Sequence, residues 1–310
     1  MIVYVVRRLL WLPVLLIAIS IITYALGLYG PGDPVQVMLG QRSNPEVVAR
    51  LRHELGLDRP FLVQYADYLR KALRGDLGES FQYRGQPVGR LLASRLWVSV
   101  QLNAVVLVLG ALIGVPLGVI AALKRNSWLD YVIVSGTVAG ISLPTFVIAP
   151  MVMWLLAYRF RLLPSGGWEG LFSRRIIMPA IVLSTGYIAV FVRQTRAQML
   201  EVIGQDYVRT ARAKGLTEQM VIIGHALRNA LIPLFTIFGL MVGGLVEGTF
   251  VTETIFGIPG IGRLGFESFF ARDYPVIMAL TLLVALSFTL ANLLVDVGYG
   301  FLDPRIRYGE

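Results

Sequence analysis

Residues 206–233 read DYVRTARAKGLTEQMVIIGHALRNALIP. This stretch lies between two apolar segments, 176–192 and 231–251. It is too polar for a membrane span and too regularly punctuated for a slack loop. Asp206 is expected to cap a helix, its carboxylate accepting free N–H groups of the first turn. Residues 207–214 favour helix, Lys214 suits the negative helix end, and Gly215 fits the left-handed position that closes it. Thr217 then caps a second helix with Glu218 in its first turn. A helix, a Gly turn and a helix held between two spans imply an element presented to something in the cytoplasm.

Composition supports the membrane setting. The chain has 310 residues, of which 56% are hydrophobic and 15% charged, and its mean hydropathy is +0.69. A soluble domain needs more charge to cover its surface. The expected fold is therefore an all-α polytopic membrane protein. With no cysteine, disulfides and Cys-ligated metals are excluded. The net charge of +9 is assigned to loops that follow the positive-inside rule, not to nucleic-acid binding.

Six transmembrane helices are expected. The first, 9–29, is too long for a signal-peptide core and has no A-x-A-like cleavage site. The others fall near 98–122, 131–157, 176–192 (a short one), 231–251 and 275–298. Gly110, Gly114 and Gly118 form a row for close helix packing. Pro144 and Pro150 interrupt the third span. With both termini cytoplasmic, twelve basic residues fall inside and six in short outside segments; the other ten lie in 30–97, too long to count. The implied organisation is a helix at 1–29, an extracytoplasmic helical segment at 30–97, a core at 98–298 with a cytoplasmic loop at 193–228 and an outer loop at 252–274, and a cytoplasmic tail at 299–310.

In 30–97, Asn44 and Pro45 open a helix that ends at Gly56. A second runs from Phe61 to Gly75, with Leu62, Tyr65, Leu69 and Leu73 as the face expected to pack on the membrane domain. The Gly- and Pro-rich outer loop, which includes Phe256, Pro259 and Gly260, either plugs or lines a pathway or simply folds over the bundle.

Catalytic patterns are missing. There is no Gly-Lys pair for a P-loop, no H-E-x-x-H and no G-x-S-x-G, and only His53 and His225 as histidines. Two acids fall within the expected spans. Glu247 either faces a water-filled passage or pairs with an outer Arg. Asp296 is expected to meet basic loop residues. Asn103 and Asn292 are weaker candidates for lining a pathway.

Taken in order, several stretches resemble the permease subunit of dipeptide/oligopeptide ABC importers. They are GDP at 32–34, LGLDRPFLVQYADYL at 55–69, GDLGES at 75–80, DYVRTARAKGL at 206–216, HALRNALIP at 225–233, ETIFGIPGIGRL at 253–264, RDYP at 272–275 and NLLVDVGYGFLDPRIRYG at 292–309. The resemblance covers nearly the whole chain. It implies the type I importer permease fold in a bacterial or archaeal inner membrane. It also implies a second homologous permease, two ABC ATPase subunits that carry ATP and Mg, an extracytoplasmic substrate-binding protein, and no cofactor on this chain. The general Glu-Ala-Ala-x3-Gly coupling pattern falls on Arg209, Thr210, Ala211 and Gly215, and only Ala211 and Gly215 match it. The variant Arg-Thr-Ala-Arg-Ala-Lys-Gly is of the peptide type. It makes Asp206, Arg209, Thr210, Ala211, Arg212, Ala213, Lys214, Gly215 and Leu216 the expected ATPase-coupling residues. Peptides are the expected substrate; glutathione, nickel complexes and oligosaccharides are alternatives within the same architecture. A stand-alone secondary transporter is the rival class, but paired ionisable groups at midplane are scarce.

Overall fold

A computed structural model describes residues 2–30, 34–39, 44–54 and 56–302. Residues 32 and 33 of GDP, the end of the 292–309 stretch, and Arg305 and Arg307 lie outside them. The helices are α1 Ile2–Tyr29, α2 Pro34–Leu39, α3 Pro45–Glu54, α4 Phe61–Leu73, α5 Val88–Leu123, α6 Trp128–Ser142 and α7 Thr145–Met153. They continue with α8 Ile177–Ile203, α9 Asp206–Ala213, α10 Glu218–Met220, α11 Arg228–Gly243, α12 Phe250–Ile255, α13 Ile261–Ala271 and α14 Tyr274–Leu302.

Among the described residues, five helical segments are long and apolar enough to span a bilayer: Val6–Tyr29, Val88–Leu123, Arg174–Ile203, Glu218–Val246 and Tyr274–Gly298. The sixth is a pair, Trp128–Ser142 and Thr145–Arg159, bent by 99°. The interruption expected in the third span thus falls at Pro144. Pro144 pushes Leu143 out of the helical region, to φ −88° and ψ 123°, as a residue before proline must go. Pro150 breaks nothing: it sits inside α7, and a π-helical turn at Trp154–Arg159 follows. The short span at 176–192 also needs correction, because its helix runs on to Ile203. Arg193 and Arg196 do not end it. Arg196 is held by buried Asp130 through two bonds of 2.7 and 2.8 Å, so its charge is neutralised where it sits. The second span begins earlier than expected, at Val88, whose helix carries 88–97 without a break.

The bundle is built on α5 and α8. A Cβ on Gly110, Gly114 or Gly118 would stand 2.5, 2.6 and 2.6 Å from the Cβ atoms of Tyr187, Phe191 and Thr195. Only bare backbone lets these two helices meet so closely. One core cluster gathers Leu102, Val106, Met178, Val182, Phe256 and Ile258, joining α5, α8 and the 250–260 loop. Another packs Val88 and Leu92 of α5 on Leu264 of α13 and Val276 of α14. At the far end Ala122, Met199, Ala226 and Ala230 pack together. The bundle therefore has two ends, one carrying α12 and α13 and the other carrying α9 and α10.

The helices of the segment after α1 start where expected. Asn44 accepts the N–H of Glu46 at 3.1 Å, and Gly56 and Gly75 have φ of +68° and +82°. The packing face of α4 is corrected in part: Tyr65 is buried as expected and Leu69 is half-buried, but two of the leucines are not. Leu62 is 76% and Leu73 81% exposed. The contact with α1 is instead aromatic and polar. Tyr65 bonds Ser20 at 2.7 Å, and Tyr24 lies 5.8 and 5.1 Å from the rings of Tyr65 and Tyr68. The longer aromatic side chains reach α1 and leave the leucines at the margin.

Candidate functional site

At one end, α9 stands between α8 and α11 on a two-residue link, Gly204–Gln205. The expected cap is corrected by one place. Gln205 is the extended N-cap residue, and Asp206 is the first helical residue, 98% exposed at its side chain and 3.6 Å from Arg209. The carboxylate still faces the positive helix end. Thr210 bonds back to the Asp206 carbonyl at 2.9 Å. Gly215 turns at φ +78° with open space around it, a conformation that disfavours any Cβ. Thr217 accepts the N–H of Met220 at 3.4 Å. Arg212 grips Glu218 across the Gly turn with bonds of 3.1 and 2.8 Å.

The two faces of α9 differ. Val208 and Ala211 are buried and pack on Val221, Leu216 and Val202. Arg209, Thr210, Arg212, Ala213, Lys214 and Gly215 are exposed, and Leu216 is half-buried. Ala211, one of the expected coupling residues, is taken up by the loop's own small core. The exposed small residue is Ala213. This arrangement can pass a push on α9 directly to α8 and to the helix that continues into α11.

At the other end the pathway candidates scatter. Glu247 is exposed and lines an open depression with Phe250, Phe266 and Thr281; among the described residues it forms no ion pair. Asn103 is buried, and its amide donates to the Leu245 carbonyl at 3.0 Å, bracing α5 against the end of the α11 span. Asn292 is half-buried on α14. Asp296 pairs with Arg8 of α1 at 2.8 Å. Glu247 and Asn103 fall near one another in the fold through 245–247, and Asn292 follows Ala291, which packs on Gly243 at the end of α11.

Two carboxylates that sequence reasoning missed hold the α13 end. Glu253 is wholly buried. It accepts the Ser99 hydroxyl at 2.7 Å and the backbone N–H groups of Thr249 and Arg263 at 3.2 and 2.8 Å. Ser99 in turn accepts the N–H of Ile261 at 2.8 Å. A Cβ at Gly260 would lie 2.4 Å from the Glu253 carboxylate, so this glycine makes room for it. Phe256 is buried in the core, and its carbonyl accepts the Gly167 N–H at 2.6 Å; Pro259 is half-buried. The loop is thus folded into the bundle. Asp273, also wholly buried, accepts the Ser80 hydroxyl and the N–H groups of Phe81 and Gln82. Nearby, Glu267 accepts from Tyr83 at 2.8 Å and Arg263 at 2.7 Å. Burial raises the Glu267 pKa, but these two partners outweigh it and leave the carboxyl below its ordinary value. Glu253 opens the ETIFGIPGIGRL stretch, and Asp273 in RDYP meets Ser80 of GDLGES. An acid amid glycines or beside a turn was the available signal.

The described residues form a polytopic helical bundle with an exposed helix–Gly–helix element between two spans. Residues 114–308 match the binding-protein-dependent transport system inner membrane component, and residues 1–102 match the N-terminal region of such membrane components. The chain belongs to the family of binding-protein-dependent transport system inner membrane components. It is 38% identical over 336 aligned positions to the dipeptide transport system permease protein DppB of Alkalihalophilus pseudofirmus, covering 99% of this chain and 100% of that one. Identity to DppB of Escherichia coli K12 is 41%, covering 98% of each chain. Identity to the oligopeptide transport system permease protein OppB of Salmonella typhimurium is 40%, covering 96% of each. An inward-facing MetNI methionine ABC transporter structure superposes with a TM-score of 0.57 at 18% identity, over 69% of this chain and 96% of that chain. That likeness is one of fold.

Proposed function

We propose that the chain is the permease subunit of an ATP-driven peptide importer and that α9 is where ATP hydrolysis on partner subunits drives it. The relatives named for dipeptide and oligopeptide transport support the peptide assignment. In this reading a second permease completes the pathway, two ATPases carry ATP and Mg, and an extracytoplasmic binding protein delivers the peptide. Both termini face the cytoplasm in a bacterial or archaeal inner membrane. Glu247 lies along the pathway and meets a cationic group of the cargo; Asn103 holds the pathway wall.

The observation that carries the coupling role is the two-faced α9. Its buried side is fastened to the bundle by Val208 and Ala211, and its exposed side presents Arg209, Ala213 and Lys214. Short rigid elements transmit displacement; slack loops absorb it. Arg212 and Glu218 set the angle between the two helices. The test is reconstitution with the partners in proteoliposomes. Arg209→Glu and Ala213→Trp should abolish peptide-stimulated ATPase activity and uptake while membrane insertion stays normal. Full stimulation in both variants would refute the coupling role. The ligand eluted from the copurified binding protein decides between peptide and another solute.

A further inference from the structure

Two cavities meet on the flank of α1 and α4. The first, about 470 Å³, is walled by carbon, with Leu16, Ile17, Leu69, Leu73, Leu283 and Leu286 in its lining. Its α1 and α14 walls belong to spans, so it sits at the depth of lipid chains. The second, about 360 Å³, is polar and includes Arg59, Asp67, Lys71 and Asp76. Tyr68 and Leu77 border both.

Tyr68 stands at the junction, and its buried hydroxyl has no hydrogen-bond partner. Burial, with Tyr65 and Tyr24 beside it, pushes its pKa up to about 12, so it remains a donor. A buried donor requires an acceptor. The other hydroxyl in the apolar cavity, Ser20, is already bonded to Tyr65 and to the Ile17 carbonyl. In the polar cavity Arg59 is paired with Asp67 at 3.4 Å, whereas Lys71 forms no ion pair among the described residues. The carbon-lined groove and the polar one share the unmet Tyr68 donor, and the polar lining adds Lys71 and three carboxylates, of which Glu54 and Asp67 are paired with Arg50 and Arg59 and Asp76 forms no ion pair among the described residues. An acyl chain, an ester or phosphate oxygen and an ammonium, the groups of an amine-bearing glycerophospholipid, match these surroundings.

We propose that the joined cavities hold one such lipid. An acyl chain lies between α1 and α14, a phosphate or ester oxygen accepts from Tyr68 beside Lys71, and the headgroup ammonium faces Asp76. The full-length chain is reconstituted in nanodiscs containing phosphatidylethanolamine with a diazirine in one acyl chain. After illumination, adducts should concentrate on 12–20 and 279–286 over the exposed Leu10 and Leu26. Tyr68→Phe, which removes one oxygen and no packing, and Lys71→Glu should each reduce that labelling about tenfold. Labelling at Leu10 and Leu26 should not change. Unlabelled phosphatidylethanolamine should compete several-fold better than phosphatidylglycerol. Even labelling around α1 would mean annular lipid only and would overturn the proposal. So would groove labelling that neither substitution reduces, or that both lipids compete equally.

Discussion

Glu253→Ala tests the part of the fold that sequence reasoning missed. The substitution leaves three buried donors without an acceptor: the Ser99 hydroxyl and the N–H groups of Thr249 and Arg263. Each unmet buried donor costs about 1–3 kcal/mol. The sum is not additive, because Ser99 can turn toward a neighbour, and because removing a desolvated carboxylate returns part of the loss. A net loss of about 3 kcal/mol is expected. For a chain of this size that lowers Tm by about 6–10 °C. Thermal unfolding of the detergent-purified chain, followed by tryptophan fluorescence at a fixed scan rate, reads it directly, because Trp168 packs on the Phe256 cluster. Glu253→Gln keeps the shape but turns an amide NH2 toward a donor, so its loss should be about half as large. Ser99→Ala combined with Glu253→Ala should lose less than the sum of the two, since both remove the same bond. Glu247→Ala removes an exposed carboxylate that makes no ion pair among the described residues and should leave Tm within about 1 °C. If Glu253→Ala behaves like Glu247→Ala, the buried node contributes nothing and the reasoning fails.

Other expectations use the same unfolding scan. Asp130→Asn should cost about 2 kcal/mol, below the usual range for a broken buried pair because Arg196 retains 28% exposure of its side chain; pairing it with Arg196→Met should recover part of the loss. Gly114→Leu should abolish monodisperse protein in size-exclusion chromatography, since its Cβ would meet the Phe191 Cβ at 2.6 Å and the Ile188 carbonyl oxygen at 2.9 Å, whereas Gly136→Leu, with open space around it, should not. Glu267 has a depressed folded pKa, so its contribution is complete above its ordinary value of 4.5 and is lost as pH falls through the lower folded value. Wild type should therefore lose more Tm than Glu267→Gln below about pH 4.5, and equal losses would remove the carboxylate from the account.

Local pattern carried much of this fold. Apolar runs located the spans, and Asn44, Thr217, Gly56, Gly75 and Gly215 sit at helix ends because capping depends on neighbours a few residues away. The same local rule misplaced the cap at Asp206, where extended Gln205 takes it. Pro144 was visible, but not that its effect is a 99° bend, since the direction of a chain after a break is set by what it packs on. Asp130–Arg196, Ser99–Glu253 and Ser80–Asp273 join residues 66, 154 and 193 positions apart, and no periodicity encodes such pairs. Glu253 was passed over because it falls just beyond the apolar run ending at 251, where an acid looks solvated. Ala211 illustrates the converse: it matches the coupling pattern, and the fold spends it on its own packing.

The buried pairs give the proposed coupling a mechanical route. α8 runs from the Phe256 cluster to Ile203 without a break and joins α9 through two residues. It cannot slide along α5, because Gly110, Gly114 and Gly118 lie against Tyr187, Phe191 and Thr195 with no room for a single methyl group. A force that tilts α9 therefore moves α5 and α8 as one body. At its far end α5 holds Ser99, and Ser99 holds both Glu253 and the first residue of α13. The bond network at that end is polar and desolvated, so it has few alternative arrangements and switches as a unit where an apolar contact would creep. By this argument the sharpest consequence of Ser99→Ala is functional: in proteoliposomes with its partners, ATP hydrolysis should continue while uptake per ATP falls. An unchanged ratio would place the rigid path elsewhere.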